Sequence, residues 1–198
     1  MDIREELGRR IIFFDGGLGS LLQERGLKPG ELPETWNLTR PEVLYDIHRA
    51  YLDAGADIIL ANTFGANGFK YDNLEEIVTA AVVNAKKAVA DSGRKAYVAL
   101  DMGPTGKLLK PMGTLDFEEC VSIYADVVRY GAKAGADLAG VDELAKVEPI
   151  QHVLHAGVLS SVADCCVKSD AGADTECALT SGRRSGLSDL ESAQLLWM

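Results

Sequence analysis

Two short segments of this sequence carry residue types that could hold a small polar ligand. The first, Asp15–Gly17, directly follows the apolar run 11–14, and the second, Asn62 and Thr63, directly follows the apolar run 58–61. A carboxylate at the end of a buried strand can bind an amine or a hydroxyl, and glycines let backbone N–H groups approach a ligand. The pattern therefore indicates a binding site at the ends of two strands, although Asp-Gly-Gly alone is also typical of a plain tight turn.

The elements that must position these residues follow from the alternation of apolar runs with amphipathic stretches. Glycines at 55, 93 and 135 stand where helices are expected to end. The predicted strands are 11–14, 58–61, 96–100 and a fourth that begins at 137, and the predicted helices are 18–25, 41–54, 73–91 and 116–134. Strictly alternating strands and helices predict an α/β fold with a parallel sheet, and polar residues gathered at the strand ends favour a (β/α)8 barrel of the TIM type.

A third candidate, Asp101, ends the strand predicted at 96–100 and opens the segment Asp-Met-Gly-Pro-Thr-Gly. Its carboxylate could face the same pocket, or it could cap the turn at 103–106. Both interpretations remain open from the sequence.

The segments 13–26, 36–67 and 99–109, taken together and in this order, resemble the homocysteine-binding domain of zinc-dependent homocysteine S-methyltransferases. Within that family they are most similar to the N-terminal module of cobalamin-dependent methionine synthases. The resemblance covers residues 11–138. It implies a TIM-type barrel that transfers a methyl group to the thiol of homocysteine and so produces methionine.

The resemblance also implies roles for individual residues. Asp15 would accept hydrogen bonds from the substrate ammonium, and the amides around Gly16 and Gly17 would hold the substrate carboxylate. Asn62 and Thr63 would line the same pocket. Homocysteine is thus the expected ligand, and the methyl group would come from a methyl donor or from cobalamin carried on a separate partner module.

Zinc is the cofactor that the family implies, because a coordinated thiol is deprotonated and becomes a good nucleophile. The family's ligands are one cysteine and a glycine-flanked cysteine pair, and no such pair occurs here. Their context predicts that Cys165, Cys166 and Cys177 are incidental thiols, and the alternative is that they form the zinc ligand set. Cys120 stands among helical core residues and is expected to be a small buried hydrophobe.

The last 60 residues differ in composition from the rest. All five Phe and all six Tyr lie in residues 1–138, and three of the four Cys lie in residues 139–198. We therefore divide the chain into the N-terminal half of a barrel, residues 1–138 with about four βα units, and an atypical tail that is frameshifted, diverged or disordered. The alternative to an active methyltransferase is then a non-catalytic, truncated half-barrel without a zinc site.

The net charge of −10 argues against nucleic acid or an anionic membrane as partner, because like charges repel. The first ten residues are rich in charge and lack the apolar segment of a signal peptide. We therefore expect a cytoplasmic protein.

Because the sequence lacks a glycine-flanked cysteine pair, we predict that the isolated chain will not hold stoichiometric zinc at neutral pH. The measurement is elemental analysis of the purified protein after dialysis against zinc. About one zinc per chain, lost when Cys165 and Cys166 are replaced by serine, would instead establish the alternative ligand set.

Overall fold

The computed structural model describes residue 3, residues 6–7, residues 9–141 and residues 163–164. A 3₁₀ turn at Pro33–Thr35 precedes the second of five helices in this part of the chain. The helices are α1 (Leu18–Glu24), α2 (Trp36–Thr39), α3 (Pro41–Ala54), α4 (Leu74–Ser92) and α5 (Phe117–Ala134). The strands are β1 (Ile58–Ala61), β2 (Tyr97–Met102), β3 (Leu138–Val141) and β4 (Ala163–Asp164).

The four strands form one parallel sheet in the order β1-β2-β3-β4. In this register Ala61 pairs with Leu100, and Asp101 pairs with Gly140. Strands that follow each other along the chain are neighbours, so each helix between them crosses one face of the sheet. The α/β fold with a parallel sheet is therefore confirmed for the described residues.

The strand predicted at 11–14 forms only a single parallel bridge, between Phe14 and Ile58, at the free edge of β1. At this bridge the Phe13 amide donates to the Asp57 carboxylate at 3.0 Å, and beyond it the Leu60 amide donates to the Asp15 carboxylate at 2.9 Å instead of to a backbone carbonyl. The side chains of Ile11 and Phe13 are about half exposed. The segment nevertheless places Asp15 directly beside β1.

The two faces of the sheet bury different sets of residues, as the period of two along a strand requires. Ile59, Ala61, Val98, Leu100 and Met102 pack against the apolar sides of α4 and α5. On the other face, Ile58, Ala99 and Leu138 form a smaller cluster with Ile3 and Ile12. The helix layer thus covers one face, and the N-terminal residues cover part of the other.

The repeated Ala-Gly-Ala-Asp sequence has the same structure at both of its positions. Gly55 and Gly135 adopt left-handed conformations with φ of 112° and 95° and end α3 and α5. Asp57 then forms two bonds with Phe13, because its amide donates to the Phe13 carbonyl at 2.8 Å and its carboxylate accepts from the Phe13 amide. Asp137 forms the same two bonds with Val98, each 2.8 Å long. The same aspartate contact therefore joins β1 to the segment at Phe13 and β3 to β2.

At the opposite, carboxyl ends of the strands, the sheet places residues 15, 62–63 and 101 along one edge, as the sequence predicted. The division of the chain at residue 138 remains a prediction, since nearly all of residues 139–198 lie outside the described part. Within the described residues, each helix is too short or too polar to cross a membrane.

The packing of α5 on β2 yields a prediction at Gly131. A Cβ added at this glycine would lie 2.4 Å from Leu100 Cδ1, so we expect Gly131→Ala to lower the free energy of unfolding by about 1–3 kcal/mol through overpacking. The matched control is Gly19→Ala in α1, where an added Cβ meets nothing within 4 Å and should stabilise the helix by up to about 1 kcal/mol. Urea unfolding measures both variants, and equal stability for the two would refute the packing argument.

Candidate active site

The carboxylate of Asp15 is the centre of the site. It is 8% exposed, and its backbone amide donates to the Ile58 carbonyl at 2.9 Å, which fixes it beside β1. One side-chain oxygen, Oδ2, accepts a hydrogen bond from the Leu60 amide at 2.9 Å. The other, Oδ1, is buried and contacts no hydrogen-bond donor among the described residues. A buried oxygen without a donor is costly, so this atom is suited to accept a bond from a ligand.

The surroundings of Asp15 favour its neutral form. Burial raises the pKa of Asp15 to about 8, the Leu60 amide opposes this rise, and the negative charge of Asp101 on β2 adds to it. At neutral pH the group therefore holds a proton that an approaching cation would displace.

The loop at Gly16 and Gly17 is shaped by Tyr51, a residue that the sequence indicated only as part of the apolar stripe of α3. A Cβ added at Gly16 would lie 3.0 Å from the Tyr51 hydroxyl oxygen, and that hydroxyl donates to the Gly17 carbonyl at 3.4 Å. In the described part of the chain, the backbone amides of Gly16 and Gly17 donate to no protein acceptor. The loop thus presents two amide donors next to the Asp15 carboxylate.

Asn62 lies at the end of β1 but its side chain is committed to neighbouring segments. The residue is 4% exposed, and its Nδ2 donates to the Pro33 carbonyl and to Asn37 Oδ1, each at 3.0 Å. Asn37 returns a bond of 2.8 Å to the Asn62 carbonyl. These contacts join the end of β1 to the segment 33–37.

Thr63 is fully buried and joins β1 to β2. Its hydroxyl donates to the Asp101 carbonyl at 2.9 Å and accepts from the Asp101 amide at 3.0 Å. Asp101 is thus held at the strand end, where its charge acts on Asp15. The structure brings all six predicted residues to one edge of the sheet. Asn62 and Thr63 use their side chains to bind neighbouring backbone at this edge.

The described residues contain no cluster of three or more His, Cys, Asp or Glu side chains that could hold a metal ion. The alternative zinc ligands Cys165, Cys166 and Cys177 lie outside these residues. Cys120 is 1% exposed and belongs to the core between helices and sheet, as expected of a small apolar side chain. No metal-dependent step can therefore be derived from the described side chains.

The buried Asp15 generates a prediction about stability and pH. Because its pKa in the folded chain lies far above the ordinary value of 3.8, folding favours the protonated form, and this contribution is lost as pH rises toward about 8. We expect Asp15→Asn, which keeps an acceptor for the Leu60 amide, to be more stable than the original chain at pH 8 by a few kcal/mol and no more stable at pH 4.

Urea unfolding between pH 4 and 8 measures this difference, with Asp72→Asn at an exposed position as the matched control. His48 contributes the opposite slope, because burial lowers its pKa to about 4 and its neutral form is lost in acid. Comparing each variant with the original chain cancels that common term. A difference that does not change with pH would contradict the assignment.

The chain is similar to several known proteins. The family model for homocysteine S-methyltransferase matches residues 12–185, which extends beyond residue 138, where the resemblance read from the sequence ends. The methionine synthase of Mycobacterium leprae is 33% identical over 159 residues, which is 71% of this chain and 13% of that protein. The methionine synthase of Mycobacterium tuberculosis is 30% identical over 151 residues, which is 69% of this chain and 13% of that protein. The alignments thus span only a small part of each relative.

Among solved structures, the homocysteine methyltransferase MmuM of Escherichia coli has the same fold. Its metallated form superposes with a TM-score of 0.68 at 20% identity over 82% of this chain and 64% of that one. Its oxidised form gives a TM-score of 0.64. With the family model covering most of the sequence, this chain belongs to the homocysteine S-methyltransferase family.

Proposed function

We propose that this chain is the homocysteine-binding part of a methyltransferase that transfers a methyl group to the thiol of homocysteine and produces methionine. The observation that carries the proposal is the Asp15 carboxylate, buried at a strand end with one oxygen that no described residue contacts. Membership of the family supports the choice of homocysteine over other amino acids.

In this proposal the described residues bind and orient the amino-acid end of homocysteine. The ammonium group bonds to Asp15 Oδ1, and the substrate carboxylate accepts from the amides of Gly16 and Gly17. Asp101 adds negative charge near the ammonium, while Asn62 and Thr63 keep the strand ends in place. Holding one end of the substrate in a fixed orientation leaves its thiol at a defined position, as in-line methyl transfer requires.

Binding also moves a proton. The ammonium pairs only with the ionised carboxylate, so the proton of Asp15 leaves to solvent as the ligand enters. Because burial and Asp101 raise the pKa of Asp15 to about 8, the affinity should increase by about tenfold per pH unit below that value and level off above it.

The remaining parts of the reaction are proposed to lie outside the described side chains. Zinc, where bound, would supply a deprotonated substrate thiol. A methyl donor, or a partner module that carries cobalamin, would supply the methyl group. We also propose that residues 1–138 form about the first four βα units of an incomplete TIM-type barrel and that the protein acts in the cytoplasm.

The experiment that tests the proposal is isothermal titration calorimetry of the chain with L-homocysteine. At pH 7, repeated in buffers of different ionisation enthalpy, we expect close to one proton released per bound ligand, with affinity that increases up to pH 8. Asp15→Asn should weaken binding by about 100-fold or more, because a buried ammonium loses its charged partner.

Asp72→Asn is the matched control and should leave both affinity and proton release unchanged. A thiol acid of the same length without the amino group is the ligand control, since it should release no proton. The proposal is refuted if Asp15→Asn binds homocysteine with unchanged affinity, or if the original chain does not bind it.

A further inference from the structure

Glu34 is a buried carboxylate that neither the sequence nor the proposed function uses. It lies in the 3₁₀ turn Pro33–Thr35 and is 3% exposed. Its Oε1 accepts from the Gly65 amide at 2.6 Å, and its Oε2 accepts from the Tyr71 hydroxyl. No ion pair of the described residues includes it, so two hydrogen bonds hold this carboxylate in the interior. Such a group is costly to bury and is better explained by what it positions than by what it adds to stability.

The approach of Glu34 to the loop after β1 is as close as a glycine permits. A Cβ added at Gly65 would lie 2.7 Å from Glu34 Oε1 and 3.0 Å from Lys70 Nζ. A side chain at position 65 would therefore displace the Glu34 carboxylate from the Gly65 amide. Burial and the bond to Glu34 raise the pKa of Tyr71, so its hydroxyl stays protonated and donates.

The loop that Glu34 contacts is held from both sides. On one side, Asn62 Nδ2 donates to the Pro33 carbonyl, so two neighbouring residues of the 3₁₀ turn fix both ends of the segment 62–65. On the other side, the Thr63 hydroxyl holds the backbone of Asp101, and the Phe64 carbonyl accepts from the Gly103 amide at 2.9 Å. A displacement of the loop would therefore move the end of β2.

We propose that Glu34 is a positioning residue, which holds the β1–α4 loop against the end of β2 and so fixes the backbone of Asp101 at the edge of the sheet that carries Asp15. This inference rests on the proposed function for its meaning in catalysis, but its structural part stands on the contacts alone. The charge of Asp101 from β2 raises the pKa of Asp15, and the charge of Asp15 in turn raises the pKa of Tyr51 from α3. If the loop relaxes, Asp101 moves away and water reaches the site, and both changes favour the ionised form of Asp15.

The test uses Glu34→Asp, which keeps the charge but withdraws the carboxylate by ~1.5 Å, so that it no longer reaches both Gly65 and Tyr71. The first readout is the titration midpoint of the Asp15 carboxyl carbon, followed by NMR in the unliganded chain. We expect it to fall by about half a pH unit or more relative to the original chain. The second readout is the dissociation constant for L-homocysteine at pH 9, where Asp15 is ionised in both chains and only the loss of positioning is measured. It should increase by about tenfold.

Glu42→Asp, the same change at an exposed position, is the matched control and should alter neither readout. Tyr71→Phe removes one of the two bonds without shortening Glu34, and it should shift the midpoint in the same direction by a smaller amount. If Glu34→Asp does not fold, the Asp15 midpoint of Tyr71→Phe tests the inference in its place.

An unchanged Asp15 midpoint in the folded Glu34→Asp chain, or in Tyr71→Phe should the first variant not fold, overturns the inference. Failure of the proposed function is a separate result, in which the original chain does not bind homocysteine although the midpoint still shifts. In that case the positioning of the two carboxylates by Glu34 is upheld.

Discussion

The hydrogen bond from the Leu60 amide to the Asp15 carboxylate is the contact on which the arrangement of the site depends. It forms only because the segment at Phe14 pairs in parallel with β1, which removes the Asp15 side chain from solvent. The same bond uses one carboxylate oxygen and leaves the other for a ligand. The neighbouring strand β2 carries a second carboxylate, Asp101, whose negative charge opposes the ionisation of Asp15 in the unliganded chain.

The ionised form of Asp15 is the form that binds an ammonium ligand, but it is also the form that destabilises the unliganded chain. Ionised Asp15 lowers the stability of the unliganded chain, and an ammonium ligand removes that cost when it binds. His48, on α3, shows the other outcome of burial, since both of its ring nitrogens lie in the interior without a hydrogen-bond partner among the described residues. Burial keeps His48 neutral and part of the packing, whereas Asp15 lies at a strand end where a ligand can reach it.

Much of the fold could be predicted from local sequence. The bounds of α3 and β1 agree with the prediction, because proline, glycine and the apolar period mark them within a few residues. The strand predicted at 11–14 was wrong in extent: beyond the bridge at Phe14, the Leu60 amide donates to the side chain of Asp15, 45 positions away, and not to its backbone carbonyl. That competition is a tertiary contact and leaves no local signal.

The sequence predicted that the candidate residues lie together at the strand ends, but it could not indicate what each side chain contacts. Asp15, Gly16 and Gly17 lie where a ligand could be held, whereas Asn62 and Thr63 use their side chains on Pro33, Asn37 and Asp101. The sequence could not indicate this, since the partners are distant along the chain. Nothing in the sequence distinguished Tyr51 from the other apolar residues of α3 or indicated its contact with Gly16 and Gly17. For Glu34, the one local signal was an acidic residue between Pro33 and Trp36, two residues that favour a buried turn.

The contacts of Asp57 and Asp137 lie at the amino ends of the strands, whereas the candidate ligand site lies at the carboxyl ends. Each aspartate joins the amino ends of two strands through backbone and side-chain bonds that involve no residue of the ligand site. Mutations in the loops at the carboxyl ends leave these contacts at the amino ends in place. Exchange of those loops for the loops of relatives should therefore retain Asp57 and Asp137.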